Sequence, residues 1–195
     1  CHEHLEYYSL KSLKYLMSLE NLKIINISFN QVNGGSISLD IAKKRSKYKE
    51  NKSLINWLLL REKLNGYNSL KVQKEFFDKC KKHRFLLSDL LKKLKSQGKL
   101  IYGYGASTKG NVILQYCNIS PKLLDCIIEV NSFKYNRYTP GSKIKIVSEK
   151  QIKKKKPDYL LVLPWHFKEH IIKKEKKFLD DGGKLIFPLP EIEII

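Results

Sequence analysis

The stretch GYGASTKGN, residues 103–111, most constrains how this chain can fold. It ends the apolar run LIYGYG, predicted as a strand, and enters STKGNVILQYC, predicted as a helix. A turn at such a junction presents the N–H groups of a helix N-terminus, which lack intrahelical partners and favour an anion. Gly103 and Gly105 are expected to let the backbone turn tightly and approach a ligand. Ser107 and Thr108 offer hydroxyls, Lys109 offers a charge, and Gly110 and Asn111 complete the loop. The dinucleotide fingerprint G-x-G-x-x-G would need glycine where Thr108 stands, and a G-x-x-x-x-G-K phosphate loop would need lysine where Asn111 stands. Taken alone, the loop suits a nucleotide, a phosphate, or a tight turn that holds nothing.

The residues that follow keep one rhythm. LLDCIIEV, KIKIVS, DYLLVLPW and KLIFPLP are four further strand candidates, and FKEHIIKKEKKFLDDGG reads as one helix closed by Gly182 and Gly183. Strands alternating with helices over 100–195 predict an α/β domain with a Rossmann-like, doubly wound, mainly parallel sheet. Ligands of such sheets bind at the carboxyl ends of the strands. Glu129 ends the second strand, 19 residues past Gly110, where an acid can accept hydrogen bonds from ribose hydroxyls. The loop NSFKYNRYTPG adds Asn131, Lys134, Arg137, Tyr138 and Thr139, and LPWHF sets Trp165 and His166 past another strand end. Trp165 is suited to stack on a sugar or base, although core packing explains a Trp-His pair as well.

Ahead of this domain, residues 43–99 are helical and highly charged; Gly66 is expected to divide them and Gly98 to end them. Residues 1–42 predict a loop, a helix capped by Ser9, and a hairpin of LKIINISF and SISLDIA about Asn33-Gly34-Gly35. A helix and closing antiparallel hairpin commonly end an α/β domain.

The formal net charge of +19 suggests a nucleic-acid partner, but only four of the basic residues are arginine, the preferred side chain for base and phosphate contacts. No specific nucleic acid is expected, and the run Lys153–Lys156 reads as a solvated helix end. No apolar run approaches the roughly 20 residues of a membrane span. Cysteines 1, 80, 117 and 126 form no C-x-x-C pair and no zinc spacing, which suits reduced thiols in a cytoplasmic protein. Oligomeric state is not legible.

The chain opens CHEHLEYYSL. His2 and His4 would point to one side of an extended strand, but no third ligand lies near, and no metal site is expected. A neutral histidine with a pKa of about 6.5 is a natural general base, which Glu3 is placed to orient.

Together CHEHLEYYSLKSLKYL, the NGGS turn, YGYGASTKGNVILQYC, NRYTPG, PDYLLVLPWHF and GGKLIFPLP resemble the S-adenosylmethionine-dependent C-methyltransferases that act on nucleotide-linked 4-keto deoxysugars. The resemblance covers nearly the whole chain. It implies three parts: a zinc-binding N-terminal segment, a methyl-donor domain, and a Rossmann-like C-terminal domain that helps hold the nucleotide sugar. Residues 1–42 would be the tail of the second part, 43–99 a helical connector and 100–195 the third. Zinc and most contacts to S-adenosylmethionine would lie upstream, and the chain alone would not methylate. The resemblance places Glu3 and His4 in the active site, with His4 as the base that forms an enolate. The glycine loop would then serve substrate phosphates. The chain departs from the family pattern at Cys1, where tyrosine is usual, and at Asn33, where histidine is common. Two other readings stay open: an NAD(P)-dependent Rossmann oxidoreductase, and a non-enzymatic nucleotide- or nucleic-acid-binding module.

Overall fold

A computed structural model of the chain describes residues 6–31, 35–150 and 156–195. Glu3 and His4, Asn33 and Gly34, and the lysines at 153–155 lie outside the described residues. The fold divides into two compact units, one ending at Asp78 and the other spanning Lys79–Ile195.

The first unit contains α1 (Leu10–Leu19), β1 (Leu22–Asn30), β2 (Ser36–Lys43), α2 (Lys52–Leu64) and the start of α3 (Leu70–Ser96). Ser9 caps α1 as expected, its hydroxyl accepting from the Ser12 N–H at 3.1 Å. The Glu62 carboxylate of α2 accepts from the N–H groups of Leu10 and Lys11, setting a negative charge at the positive end of α1. β1 and β2 pair antiparallel from Leu22 opposite Lys43 to Asn30 opposite Ser36, with an irregularity between Ile24 and Asn26. There the Ile25 carbonyl accepts from the Asn51 N–H at 2.7 Å, and the Asn51 side chain caps α2 through Leu54. The core of this unit is small: Leu10, Ile24, Ile27 and Ile55. Gly66, at φ +65°, makes the expected break between α2 and α3.

The second unit is built on a six-stranded sheet: β3 (Ile101–Tyr104), β4 (Ile127–Glu129), β5 (Ile146–Ser148), β6 (Tyr159–Val162), β7 (Lys184–Phe187) and β8 (Glu193–Ile194). Its order is β5-β4-β3-β6-β7-β8, parallel throughout except for the antiparallel β8. Alternation along the strands sends Ile101, Ile127, Leu161 and Ile186 to one face, against Leu87, Leu91 and Leu94 of α3 and Ile113 and Leu114 of α4 (Thr108–Tyr116). Tyr102, Ile128, Leu160, Val162 and Phe187 face the other way, against Ile171 of α5 (Lys168–Lys174) and Phe178 and Leu179 of α6 (Lys176–Asp180). Burial on both faces is why these strands read as unbroken apolar runs. The succession of strands reverses at β3, with β4 on one side and β6 on the other, which opens a crevice at their carboxyl ends.

Three elements differ from expectation. LLDCIIEV yields strand only at Ile127–Glu129, because the Leu123 and Leu124 amides close a turn on Ser120. The single helix expected after LPWHF becomes a 3-10 turn at Trp165–Phe167, then α5 and α6, with the break at Glu175, whose side chain reaches Tyr104. β8 was not expected; paired amides and carbonyls of Leu185 and Ile195 extend its ladder. No described helix is long and apolar enough to cross a membrane.

Candidate functional site

A cleft of about 260 Å³ opens in that crevice. Its first wall is the turn from β3 to α4. Gly105 sits at φ +77°, a conformation that a side chain would strain, and so turns the chain out of the sheet. Ser107 then caps α4, its hydroxyl accepting from the Gly110 N–H at 3.0 Å. Thr108 begins the helix and is exposed. The Asn111 N–H bonds the Ser107 carbonyl and so belongs to the helix ladder.

Two of the three glycines serve packing. A Cβ on Gly103 would stand 2.7 Å from the Ile127 side chain, and one on Gly110 would stand 2.6 Å from the Leu163 side chain. Gly103 thus lets β4 lie close, and Gly110 lets α4 press against the end of β6. In a dinucleotide fingerprint the third glycine serves that helix–strand contact. Here it is supplied two positions later, which is why Thr108 is tolerated.

Glu129 forms the second wall and is only 8% exposed. One carboxylate oxygen accepts from Ala106 N–H at 3.0 Å and Lys134 Nζ at 3.1 Å; the other accepts from Val130 N–H at 2.8 Å and Asn131 N–H at 3.0 Å. Burial pushes its pKa up, but the Asn131 and Val130 amides and the Lys134 ammonium outweigh burial and hold it below the usual carboxylate value. A carboxylate has about four acceptor positions. All four are engaged, so the ribose-accepting role expected of Glu129 would require one of these donors to leave. Its observed work is to tie the glycine turn to the loop after β4. Lys134 strengthens that tie by also donating to the Ala106 carbonyl at 2.9 Å.

The floor holds a second network. Lys174 Nζ donates to the Tyr104 hydroxyl at 2.8 Å, and that hydroxyl donates to Glu175 Oε1 at 2.8 Å. Burial drives the Tyr104 pKa up to about 12, so the phenol stays protonated at neutral pH. Glu149 stands 3.5 Å from Lys174. Among the residues that line the cleft, Glu129 and Glu149 balance Lys134 and Lys174 in charge.

The expected aromatic platform is displaced. Trp165 packs against the core on both faces of the sheet, and Pro164 and Phe167 line the cleft instead. Phe167 is 58% exposed. His166 lies between, its ring 5.9 Å from Trp165 and 4.3 Å from Phe167. Burial first, and then the charge of Lys109, lower its pKa, so the imidazole is neutral at pH 7. Asn131 does not line the cleft; its side chain caps the turn after β4 by accepting from the Phe133 N–H. Tyr138 is exposed, bridges to Lys145 and also lies outside the cleft. Thr139 is buried, and its hydroxyl accepts from the Ile144 N–H at 2.9 Å, so the NRYTPG loop is held by its own turn. Among the lining residues that sequence reasoning did not select are Tyr104, Glu149, Phe167 and Lys174. Only Phe167, two positions past Trp165, carried a local signal.

Comparison with known proteins follows the same chain. A family described as the C-methyltransferase C-terminal domain matches residues 31–190. The C-methyltransferase NovU of Streptomyces niveus is 32% identical over 194 residues, covering 100% of this chain and 46% of that protein. The chain therefore spans about half the length of the curated relative it matches. Neither match favours a dehydrogenase or a nucleic-acid-binding module.

Proposed function

Because the chain belongs to the C-methyltransferase C-terminal domain family, we propose that it is part of an S-adenosylmethionine-dependent enzyme that methylates the carbon beside the ketone of a nucleotide-linked 4-keto deoxysugar. The observation that carries this is 32% identity to a C-methyltransferase over 194 residues, 100% of this chain. Residues 1–42 are assigned to the end of the donor domain, 43–99 to a connector, and 100–195 to a Rossmann-like substrate domain. The strand order, the reversal at β3 and the helices on both faces support the last assignment.

The donor is assigned to a region outside this chain, where it supplies an electrophilic methyl on a sulfonium. His4 takes the acidic proton beside the ketone, and Glu3 orients the imidazole and stabilises its protonated form. The resulting enolate carbon is the nucleophile. The barrier falls chiefly through positioning of the acceptor and stabilisation of the enolate charge. In the second unit the head of α4, with Thr108 and Lys109, is assigned to the substrate phosphates, and the adjoining cleft to the nucleoside. Gripping the nucleotide far from the reacting carbon contributes alignment of the sugar.

The test supplies methyl-labelled S-adenosylmethionine and thymidine diphosphate-4-keto-6-deoxyglucose to an intact enzyme containing this chain. Label on a ring carbon of the sugar supports the reading. Label on oxygen, or none, contradicts it.

A further inference from the structure

The cleft of the second unit mixes apolar walls with a few charged groups. Ile128, Val130, Pro164 and Phe167 give it an apolar lining, and the Phe167 ring stays largely exposed. The lining charges cancel, Glu129 and Glu149 against Lys134 and Lys174. Recognition in such a cleft rests on hydrogen bonds at particular atoms and not on net charge.

The four charged groups are not alike. Glu129 is saturated by Ala106, Lys134, Val130 and Asn131, and Lys134 divides its ammonium between Glu129 and the Ala106 carbonyl. Lys174 and Glu149 keep capacity. The Lys174 ammonium, which has three N–H groups, donates to the Tyr104 hydroxyl at 2.8 Å, and Glu175 holds that hydroxyl in turn. Glu149 stands 3.5 Å from Lys174, beyond the roughly 2.7–3.2 Å of an N–H···O hydrogen bond. Its carboxylate accepts no hydrogen bond of that length from the described residues. The pair therefore offers the cleft a donor fixed by the Tyr104 phenol and, beside it, an acceptor.

A ligand that satisfies both carries a carbonyl oxygen next to an N–H on one planar edge. Uracil and thymine have that imide edge. Cytosine sets an amino group and a bare ring nitrogen at the same two positions, so Lys174 would face N–H groups and Glu149 would face a lone pair. Phosphates gripped at the head of α4 would keep cytosine from sliding one atom along to a better match.

We propose that Glu149 and Lys174 read the base of the nucleotide sugar and select uracil or thymine over cytosine, with Phe167 as the ring against which the base packs. This rests on the assignment of the nucleoside to this cleft and adds to it the residues that choose the base.

The test measures calorimetric binding of uridine diphosphate and cytidine diphosphate to the chain and to its Glu149→Ala, Glu149→Gln and Lys174→Met variants. Glu149 is partly exposed, and unchanged circular dichroism melts establish that its variants fold. The unsubstituted chain should prefer uridine diphosphate by about 10-fold, the lower end for one hydrogen bond to a charged group. Glu149→Ala and Lys174→Met should close that gap by weakening uridine diphosphate. Glu149→Gln, whose amide donates as well as accepts, should close it by strengthening cytidine diphosphate. A merely structural role of Glu149 would move both nucleotides together and overturn the proposal. Equal binding by the unsubstituted chain, a preference that survives both Glu149 substitutions, or no binding of either nucleotide would also overturn it. Methyl transfer to the sugar by the intact enzyme, assayed separately, decides the methyltransferase reading in each case.

Discussion

Glu129→Gln removes one charge from the carboxylate that joins the glycine turn to the loop after β4. Glutamine keeps a single acceptor oxygen. Its NH₂ must face either the Val130 and Asn131 amides or the Ala106 amide and Lys134, so two of the four hydrogen bonds are lost. A hydrogen bond to a charged group is worth about 1.5–3 kcal/mol. Lys134 is partly exposed, so solvent screening cuts its share to about 1 kcal/mol. The sum is about 3 kcal/mol, and at roughly 4 °C per kcal/mol for a domain of this size the melting temperature falls by about 12 °C. The loss depends on pH with a definite sign. The folded pKa of Glu129 is depressed, so its contribution is complete above the unfolded value of about 4.3 and fades as pH falls through the folded value. Thermal melts of both proteins should differ by a constant amount between about pH 6 and 8, and the gap should narrow below about pH 4. A difference under about 0.5 kcal/mol at pH 7, or a gap unchanged on acidification, would refute the assignment of Glu129 as the tie between these loops.

Further outcomes follow from neighbouring contacts. Gly110→Ala gains about 1 kcal/mol of helix propensity but forces a Cβ to 2.6 Å from Leu163, so melting should show a net loss of about 1–2 kcal/mol. Tyr104→Phe deletes the hydroxyl between Lys174 and Glu175 and should cost about 1–2 kcal/mol in urea unfolding at pH 7. Lys109→Ala should weaken a nucleoside diphosphate by roughly 3- to 5-fold and flatten its salt dependence, read by calorimetry at two ionic strengths. Unchanged affinity would mean that the head of α4 is only a turn.

The sequence made the local features legible. Ser9 caps its helix, Gly66 breaks one, and the apolar runs at 101–104, 159–162 and 184–187 are strands, because caps, turns and burial patterns depend on near neighbours. What the sequence did not disclose depends on contacts across the sheet. Gly103 and Gly110 owe their identity to Ile127 of β4 and Leu163 just past β6. Glu129 faces a backbone amide 23 positions away, and Tyr104 meets Lys174 and Glu175 about 70 positions on. Phe167 takes the cleft-lining place expected of Trp165 because a 3-10 turn, not a continuous helix, follows β6 and sets which ring faces the cleft.

The most direct test of the central claim is solvent exchange at the carbon beside the ketone. An intact enzyme containing this chain, and its His4→Ala variant, are incubated in deuterium oxide with thymidine diphosphate-4-keto-6-deoxyglucose, and deuterium in the sugar is followed by NMR. Rapid exchange at one ring carbon in the unsubstituted enzyme, falling by about 100-fold or more in the variant, is the result expected of an enolate-forming C-methyltransferase with His4 as its base. Equal exchange in the two proteins would contradict that role, and no exchange in either would contradict the enolate mechanism itself.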